Sequence, residues 1–102
     1  MKKNLKVALR WFNGSELTEK TTNDTELPIM ISDVVAKALF EVSTSAGLTP
    51  EEKYQAFKIS QRIMNEPRNV ELDASDVVLI RKVIGPSFSA GVYGQIIDLL
   101  ES

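Results

Sequence analysis

The start of the chain alternates apolar and polar positions, which is typical of a β-strand with one buried face. Over residues 4–12 one face carries the apolar side chains: Leu5, Val7, Leu9 and Trp11. Asn13-Gly14 follows directly, a dipeptide that tolerates positive φ at both central positions of a hairpin turn. The next residues are mostly polar and predict the return strand, so we expect a β-hairpin over residues 1–22.

Later in the chain the apolar residues recur at helical spacing. They predict four helices, over residues 32–43, 50–65, 74–84 and 88–101. The second start has a capping box in Thr49 and Glu52, and Asp73 and Asp76 repeat the arrangement in the third. Ser32 is the expected N-cap of the first.

Glycine and proline residues predict where the helices stop. Gly47, in the stretch 43–48, is expected to end the first helix, and Pro67 blocks extension of the second. Gly85 is predicted to cap the third helix in the left-handed conformation, with Pro86 preventing its continuation.

The apolar arcs of the first two helices are wide. In the first, only Lys37 and Glu41 form a polar stripe, so we expect burial on most sides. In the second, one side carries the residues predicted to be core: Tyr54, Ala56, Phe57, Ile59, Ile63 and Met64. An isolated hairpin is marginal in water, so this one must lie on helices or on another chain. The expected fold is one α+β domain over residues 1–102, mainly α, with the hairpin packed on three to four helices.

The residue types present exclude several chemistries. The chain has no cysteine and no histidine, which removes thiolate and imidazole nucleophiles, bases and ordinary zinc ligands. No carboxylate cluster indicates a magnesium site, and we expect no metal and no cofactor. We therefore predict that the protein is not an enzyme. A small carboxylate-dependent enzyme remains an alternative.

The net charge of −2 provides no broad positive field for phosphate backbones. A small basic stripe, Lys58 and Arg62 with Arg68 beyond it, leaves a nucleic-acid-binding accessory factor as a second alternative. No apolar run is long enough to span a bilayer, and the first residues lack the pattern of a signal peptide. We therefore expect a cytoplasmic protein without membrane contact.

Two pairs of residues indicate contact with a protein partner. Trp11 and Phe12 are neighbours, so on a strand they point to opposite faces and one of them should face outward. Gly91 and Gly94 lie opposite the apolar arc of the fourth helix. Either that helix begins near Val92, or another backbone, from this chain or a partner, approaches the glycines closely.

The hairpin also predicts self-association. Its second strand is mostly polar, and an edge strand presents unpaired backbone groups. Pairing across a two-fold axis would cover that edge, so we expect a homodimer with residues 5–12 in or near the interface.

Four segments resemble parts of small uncharacterised proteins of tailed phages and prophages. They are "FNGSEL" (12–17), "ISDVVAKALFEV" (31–42), "VELDASDVVLIRKVIG" (70–85) and "GVYGQIIDLLE" (91–101). The long polar return strand departs from that pattern. The resemblance implies a phage or prophage origin and a bacterial host cell, and it assigns no site residues.

These observations together predict a non-catalytic protein–protein interaction module. A phage or prophage would encode it, and its partner would be a host protein or a component of the assembling virion.

Overall fold

Four α-helices and four short β-strands make up the described chain, residues 1–43 and 47–102 of a computed structural model. The strands are β1 (Lys2–Lys3), β2 (Thr18–Lys20), β3 (Glu26–Pro28) and β4 (Val70–Glu71). The helices are α1 (Ile31–Glu41), α2 (Pro50–Asn65), α3 (Ala74–Ile84) and α4 (Ala90–Glu101). The predicted fold class, α+β and mainly α, is confirmed.

Capping boxes begin α2 and α3 where the sequence predicted them. The Thr49 hydroxyl accepts from the Glu52 N–H (3.1 Å), and the Glu52 carboxylate accepts from the Thr49 N–H (3.0 Å). Asp73 and Asp76 form the same reciprocal pair at 2.8 and 3.1 Å. These starts are readable from the sequence because all their partners lie within three residues.

Backbone carbonyls from the N-terminal segment begin α1. The N–H groups of Ile31 and Ser32 donate to the carbonyls of Val7 and Leu5, each at 2.8 Å. Met30 is the N-cap residue and makes no side-chain capping bond, so the predicted Ser32 cap is wrong. Distant carbonyls satisfy donors that a local side chain was expected to satisfy.

Three other helix ends differ from prediction. α1 ends at Glu41, two residues early, and part of the predicted stop over residues 43–48 lies outside the described residues. α4 begins at Ala90 with Ser89 as N-cap, rather than at residue 88. Gly85 is right-handed (φ −50°, ψ −54°), so the predicted left-handed cap is wrong. A Cβ at Gly85 would lie 3.0 Å from the Arg81 carbonyl oxygen, which explains the glycine by close approach instead.

The β-structure is divided between two small antiparallel sheets. β2 and β3 form a hairpin around residues 21–25, and β1 pairs with β4 from the middle of the chain. Across the predicted Asn13-Gly14 turn there is one isolated bridge, between Arg10 and Glu16. The structure therefore has only a short pairing across this turn in place of the hairpin predicted over residues 1–22. The chain after the turn forms β2, which pairs with β3.

Residues 5–11 do not form the unpaired edge on which the hairpin-mediated dimer was based. The Leu5 N–H donates to the Pro67 carbonyl, and the Leu9 N–H donates to the Ile29 carbonyl, both at 2.8 Å. The Leu9 carbonyl accepts from the Leu17 N–H at 2.9 Å. Neighbouring segments of the same chain already bond to these backbone groups. The unpaired edge from which the hairpin-mediated dimer was predicted is therefore not present in this segment.

Every helix and the N-terminal segment contribute to one hydrophobic core. Its large, fully buried side chains include those of Leu5, Leu39, Ile59, Ile63, Ile80, Ile84, Ile96 and Leu100. Four residues predicted to be buried are exposed instead, with relative accessibilities of 44–62%: Phe40, Tyr54, Phe57 and Met64. The core covers only one side of the wide apolar arc of α2, which leaves the other side in solvent.

Candidate functional site

A tight turn places Trp11 and Phe12 together in solvent. The Trp11 N–H donates to the Ser15 carbonyl (2.8 Å), and the Gly14 N–H donates to the Trp11 carbonyl (3.0 Å). Gly14 has φ +89°, which favours glycine. The exposed fraction is 58% for Trp11 and 98% for Phe12, so both aromatics face outward where alternation had predicted one. Strand alternation stops at residue 10 because the turn begins at Trp11.

Gln95 of α4 holds the base of this turn. Its Oε1 accepts from the Arg10 N–H, and its Nε2 donates to the Arg10 carbonyl, both at 2.8 Å. Nε2 also donates to the Gly91 carbonyl at 3.0 Å. A primary amide has one carbonyl oxygen and two N–H donors. Gln95 uses each of these groups, and it pairs with Arg10 as a neighbouring strand would.

Side chains within the turn add further hydrogen bonds. Nη1 of Arg10 donates to the Gly14 carbonyl at 2.9 Å. The Asn13 carboxamide oxygen accepts from the Ser15 N–H at 3.1 Å and from the Ser15 hydroxyl at 2.8 Å. The turn is therefore ordered before any partner arrives, which lowers the entropic cost of binding. We call residues 10–15 with Gln95 the braced turn.

The structure links one of the two α4 glycines to the braced turn. Gly91 is exposed and shares the Gln95 amide with Arg10. Gly94 is partly buried and lies one residue before Gln95. Apart from the adjacent residues and the backbone of α4 itself, no atom in the described part of the chain lies within 4 Å of a Cβ built at either glycine. The close backbone predicted for this face is not supplied by the described residues, and the helix does not begin at Val92.

The three basic residues predicted to contact nucleic acid have different environments. Arg62 donates to the Asp76 carboxylate (3.0 Å) and to the Glu71 carbonyl (2.8 Å). Lys58 Nζ lies 5.4 Å from the centre of the Tyr54 ring. Arg68 is exposed between α2 and β4. Arg62 therefore ties α2 to the start of α3, and its charge is balanced by a carboxylate.

Asp76 is the buried polar centre of that α2–α3 contact. It accepts from the Gln55 amide at 3.0 Å, in addition to Arg62 and the Asp73 N–H. Burial alone raises the pKa of Asp76, but these hydrogen bonds and the Arg62 charge outweigh burial and lower the pKa below its ordinary value. The carboxylate is ionised and fully engaged, which fits a structural role.

A second exposed apolar surface was missed by the sequence reasoning. It consists of Phe40, Tyr54, Phe57 and Met64, which we call the helical patch. The Phe57 ring centre lies 6.1 Å from that of Phe40 and 6.4 Å from that of Tyr54. The available signal was the apolar arc of α2, which at about 100° per residue spans roughly 220° and is too wide for a helix covered on one side.

Metal-binding clusters and membrane-spanning helices are both absent from the described part of the chain. Within residues 1–43 and 47–102, no group of three or more aspartate or glutamate side chains is arranged to hold a metal ion. None of the helices in that part of the chain combines the length and apolar character needed to cross a bilayer.

Comparison with known proteins adds no relative. No family model matches the chain, and neither the curated proteins searched nor the solved structures searched give a match.

Proposed function

We propose that this protein is a non-catalytic protein-binding module that contacts its partner through Trp11 and Phe12. The observation that carries this proposal is the exposure of two adjacent aromatic side chains on a turn whose backbone Gln95 holds in place. Aromatic residues dominate the binding energy of protein interfaces, and tryptophan is among the most enriched residues at their centres.

Rigidity supports the same proposal. An aromatic residue on a mobile loop loses conformational freedom when it binds, whereas the braced turn has already lost it on folding. Gly91, beside the turn on α4, adds exposed backbone without a side chain. A partner seated on Phe12 can therefore approach the helix closely on that side.

The resemblance to small proteins of tailed phages supports a partner of bacterial or viral origin. We propose a host protein, or a component of the assembling virion, as that partner. The corresponding location is the cytoplasm of the bacterial host. The chain has no cysteine and no histidine, which favours a binding function over catalysis.

The two alternatives have weaker support. Nucleic-acid binding would draw on Lys58, Arg62 and Arg68, but Asp76 neutralises Arg62 and the net charge is −2. A carboxylate enzyme would need a free carboxylate poised in a cleft, and the buried one, Asp76, has its oxygens engaged by three donors.

Photo-crosslinking from position 12 tests the proposal. A photoreactive phenylalanine analogue replaces Phe12 in one variant and Val78, an exposed residue on α3, in the matched control. After irradiation in a bacterial host, we expect a discrete crosslinked protein from position 12 but not from position 78. Excess wild-type protein should compete for it, whereas excess Phe12→Ala should not. Equal crosslinking from both positions, or competition by Phe12→Ala, would contradict the proposal.

A further inference from the structure

The helical patch is large for a surface that faces water. With a fully exposed area of about 200 Å² for each side chain, the accessible fractions of 44–62% leave on the order of 450 Å² of mostly apolar surface. The largest apolar patch on a typical monomer is about 300–600 Å² and is often functional. A groove of about 290 Å³ between α1 and α2 continues the patch, with Ala36 and Ser60 among its lining residues.

We propose that a second copy of this chain covers the helical patch, with the two patches face to face across a two-fold axis parallel to α1 and α2. A specific interface buries about 800 Å² on each partner, of which the patch would form the apolar centre. Two-fold dimers are the commonest assemblies, and they require a surface that is complementary to itself. The inference does not depend on the braced turn or on its partner.

The antiparallel arrangement of α1 and α2 supplies that self-complementarity. Phe40, near the end of α1, contacts Phe57, in the first half of α2, while Ala36 and Ser60 line the same groove one turn away. A two-fold axis parallel to the helices places α1 of one copy over α2 of the other. Phe40 then meets Phe57 of the second copy, and this contact occurs twice.

Charge complementarity selects this direction of the axis. Glu41 follows Phe40 and Lys58 follows Phe57, so the two charges lie at the same level on opposite rims of the patch. The axis brings Glu41 of each copy to Lys58 of the other. An axis perpendicular to the helices would instead place the two Lys58 side chains close together, which is unfavourable.

Glu41 is free to make such a pair. Its carboxylate has no hydrogen bond or ion pair within residues 1–43 and 47–102, although Lys37 lies one helical turn away. Lys58 contacts the Tyr54 ring and no carboxylate in the same residues. Both charges can therefore pair across the interface without breaking an ion pair of the monomer.

Sedimentation velocity of the full chain over a micromolar concentration range tests the proposal. The wild type should sediment as a dimer, with twice the chain mass of 11.3 kDa. Phe57→Glu should raise the dimer dissociation constant about a hundredfold, because it places a charge at the centre of the interface. Phe12→Lys, a charge placed at the exposed aromatic of the braced turn, should leave the dimer intact. Far-ultraviolet circular dichroism checks that each variant stays folded.

A charge exchange tests the direction of the axis. Glu41→Lys and Lys58→Glu should each raise the dissociation constant about three- to tenfold, since each change breaks two exposed pairs. The double variant should return the dissociation constant to the wild-type value. Lys2→Glu, a charge change on β1 away from the patch, should leave that constant unchanged. A monomeric wild type, a dimer lost in Phe12→Lys but kept in Phe57→Glu, or a double variant that fails to recover would overturn the proposal.

Discussion

Gln95 and Arg10 are 85 residues apart in the chain, yet the Gln95 side chain hydrogen-bonds to both backbone groups of Arg10. This pairing means that α4, the last helix, fixes the position of a turn near the first residues. The exposed aromatics are therefore held in place only when the whole domain has folded.

Gln95→Ala should lower the free energy of unfolding by about 0.5–1.5 kcal/mol, because the solvent-exposed hydrogen bonds to the Arg10 backbone are lost. Hydrogen exchange at the Arg10 amide should accelerate in the same variant. Asn69→Ala, which removes an exposed carboxamide between α2 and β4, is the matched control and should change neither quantity. Unchanged exchange at Arg10 in Gln95→Ala would show that the turn is held by something else.

The capping box of α2 makes a local prediction. Thr49→Ala should cost about 1 kcal/mol, because the Glu52 N–H loses its acceptor. Pro50→Ala, at the first helical position, should change stability little, since the N–H of that position has no intrahelical partner in any case. Urea melts of the two variants compare them directly, and a neutral Thr49→Ala would remove the cap from this account.

Substitutions in the hydrophobic core should have larger effects on stability than loss of the cap. Ile80 and Ile96 are fully buried, so Ile80→Ala and Ile96→Ala should each cost about 2–5 kcal/mol. Val78→Ala, on the exposed side of α3, should lie within about 0.5 kcal/mol of the wild type. Thermal and urea melts that show all three variants alike would mean that α3 and α4 do not pack around this core.

The hydrogen-bonded carboxylate of Asp76 should make the stability of the protein depend on pH. Its pKa is lowered in the folded protein, so its ionised form contributes stability that is present above the unfolded pKa of about 3.9 and is lost as pH falls through the folded value. Asp76→Asn should therefore be clearly less stable than the wild type at pH 7, with the gap narrowing toward pH 2. Asp98→Asn, at an exposed carboxylate, controls for net charge. A gap that stays constant with pH would contradict the ionised network.

The sequence predicted correctly the two helix starts that depend on near neighbours. The starts of α2 and α3 were readable because Thr49 and Glu52, and Asp73 and Asp76, are three residues apart. The start of α1 was not, because its N–H groups bond to carbonyls more than twenty residues away. The hydrogen bonds between Gln95 and the Arg10 backbone could not be predicted for the same reason, since the two residues are 85 positions apart.

Burial was the less predictable property. Tyr54, Phe57 and Met64 were predicted to be buried because they belong to the apolar arc of α2. The arc itself does not show how much of it the rest of the chain can cover. Ile59 and Ile63, on the same helix, are fully buried. Strand alternation predicted that only one of Trp11 and Phe12 faces outward, because the alternation does not show where the strand stops.

The most direct test of the proposed function is the affinity of the protein crosslinked from position 12 for a set of variants, measured by isothermal titration calorimetry. We predict that Phe12→Ala raises the dissociation constant about tenfold or more, as expected when an aromatic anchor is lost. Gln95→Ala should raise it as well, although both aromatic side chains are still present, while Asn69→Ala should bind like the wild type. Wild-type affinity in both Phe12→Ala and Gln95→Ala would contradict the account.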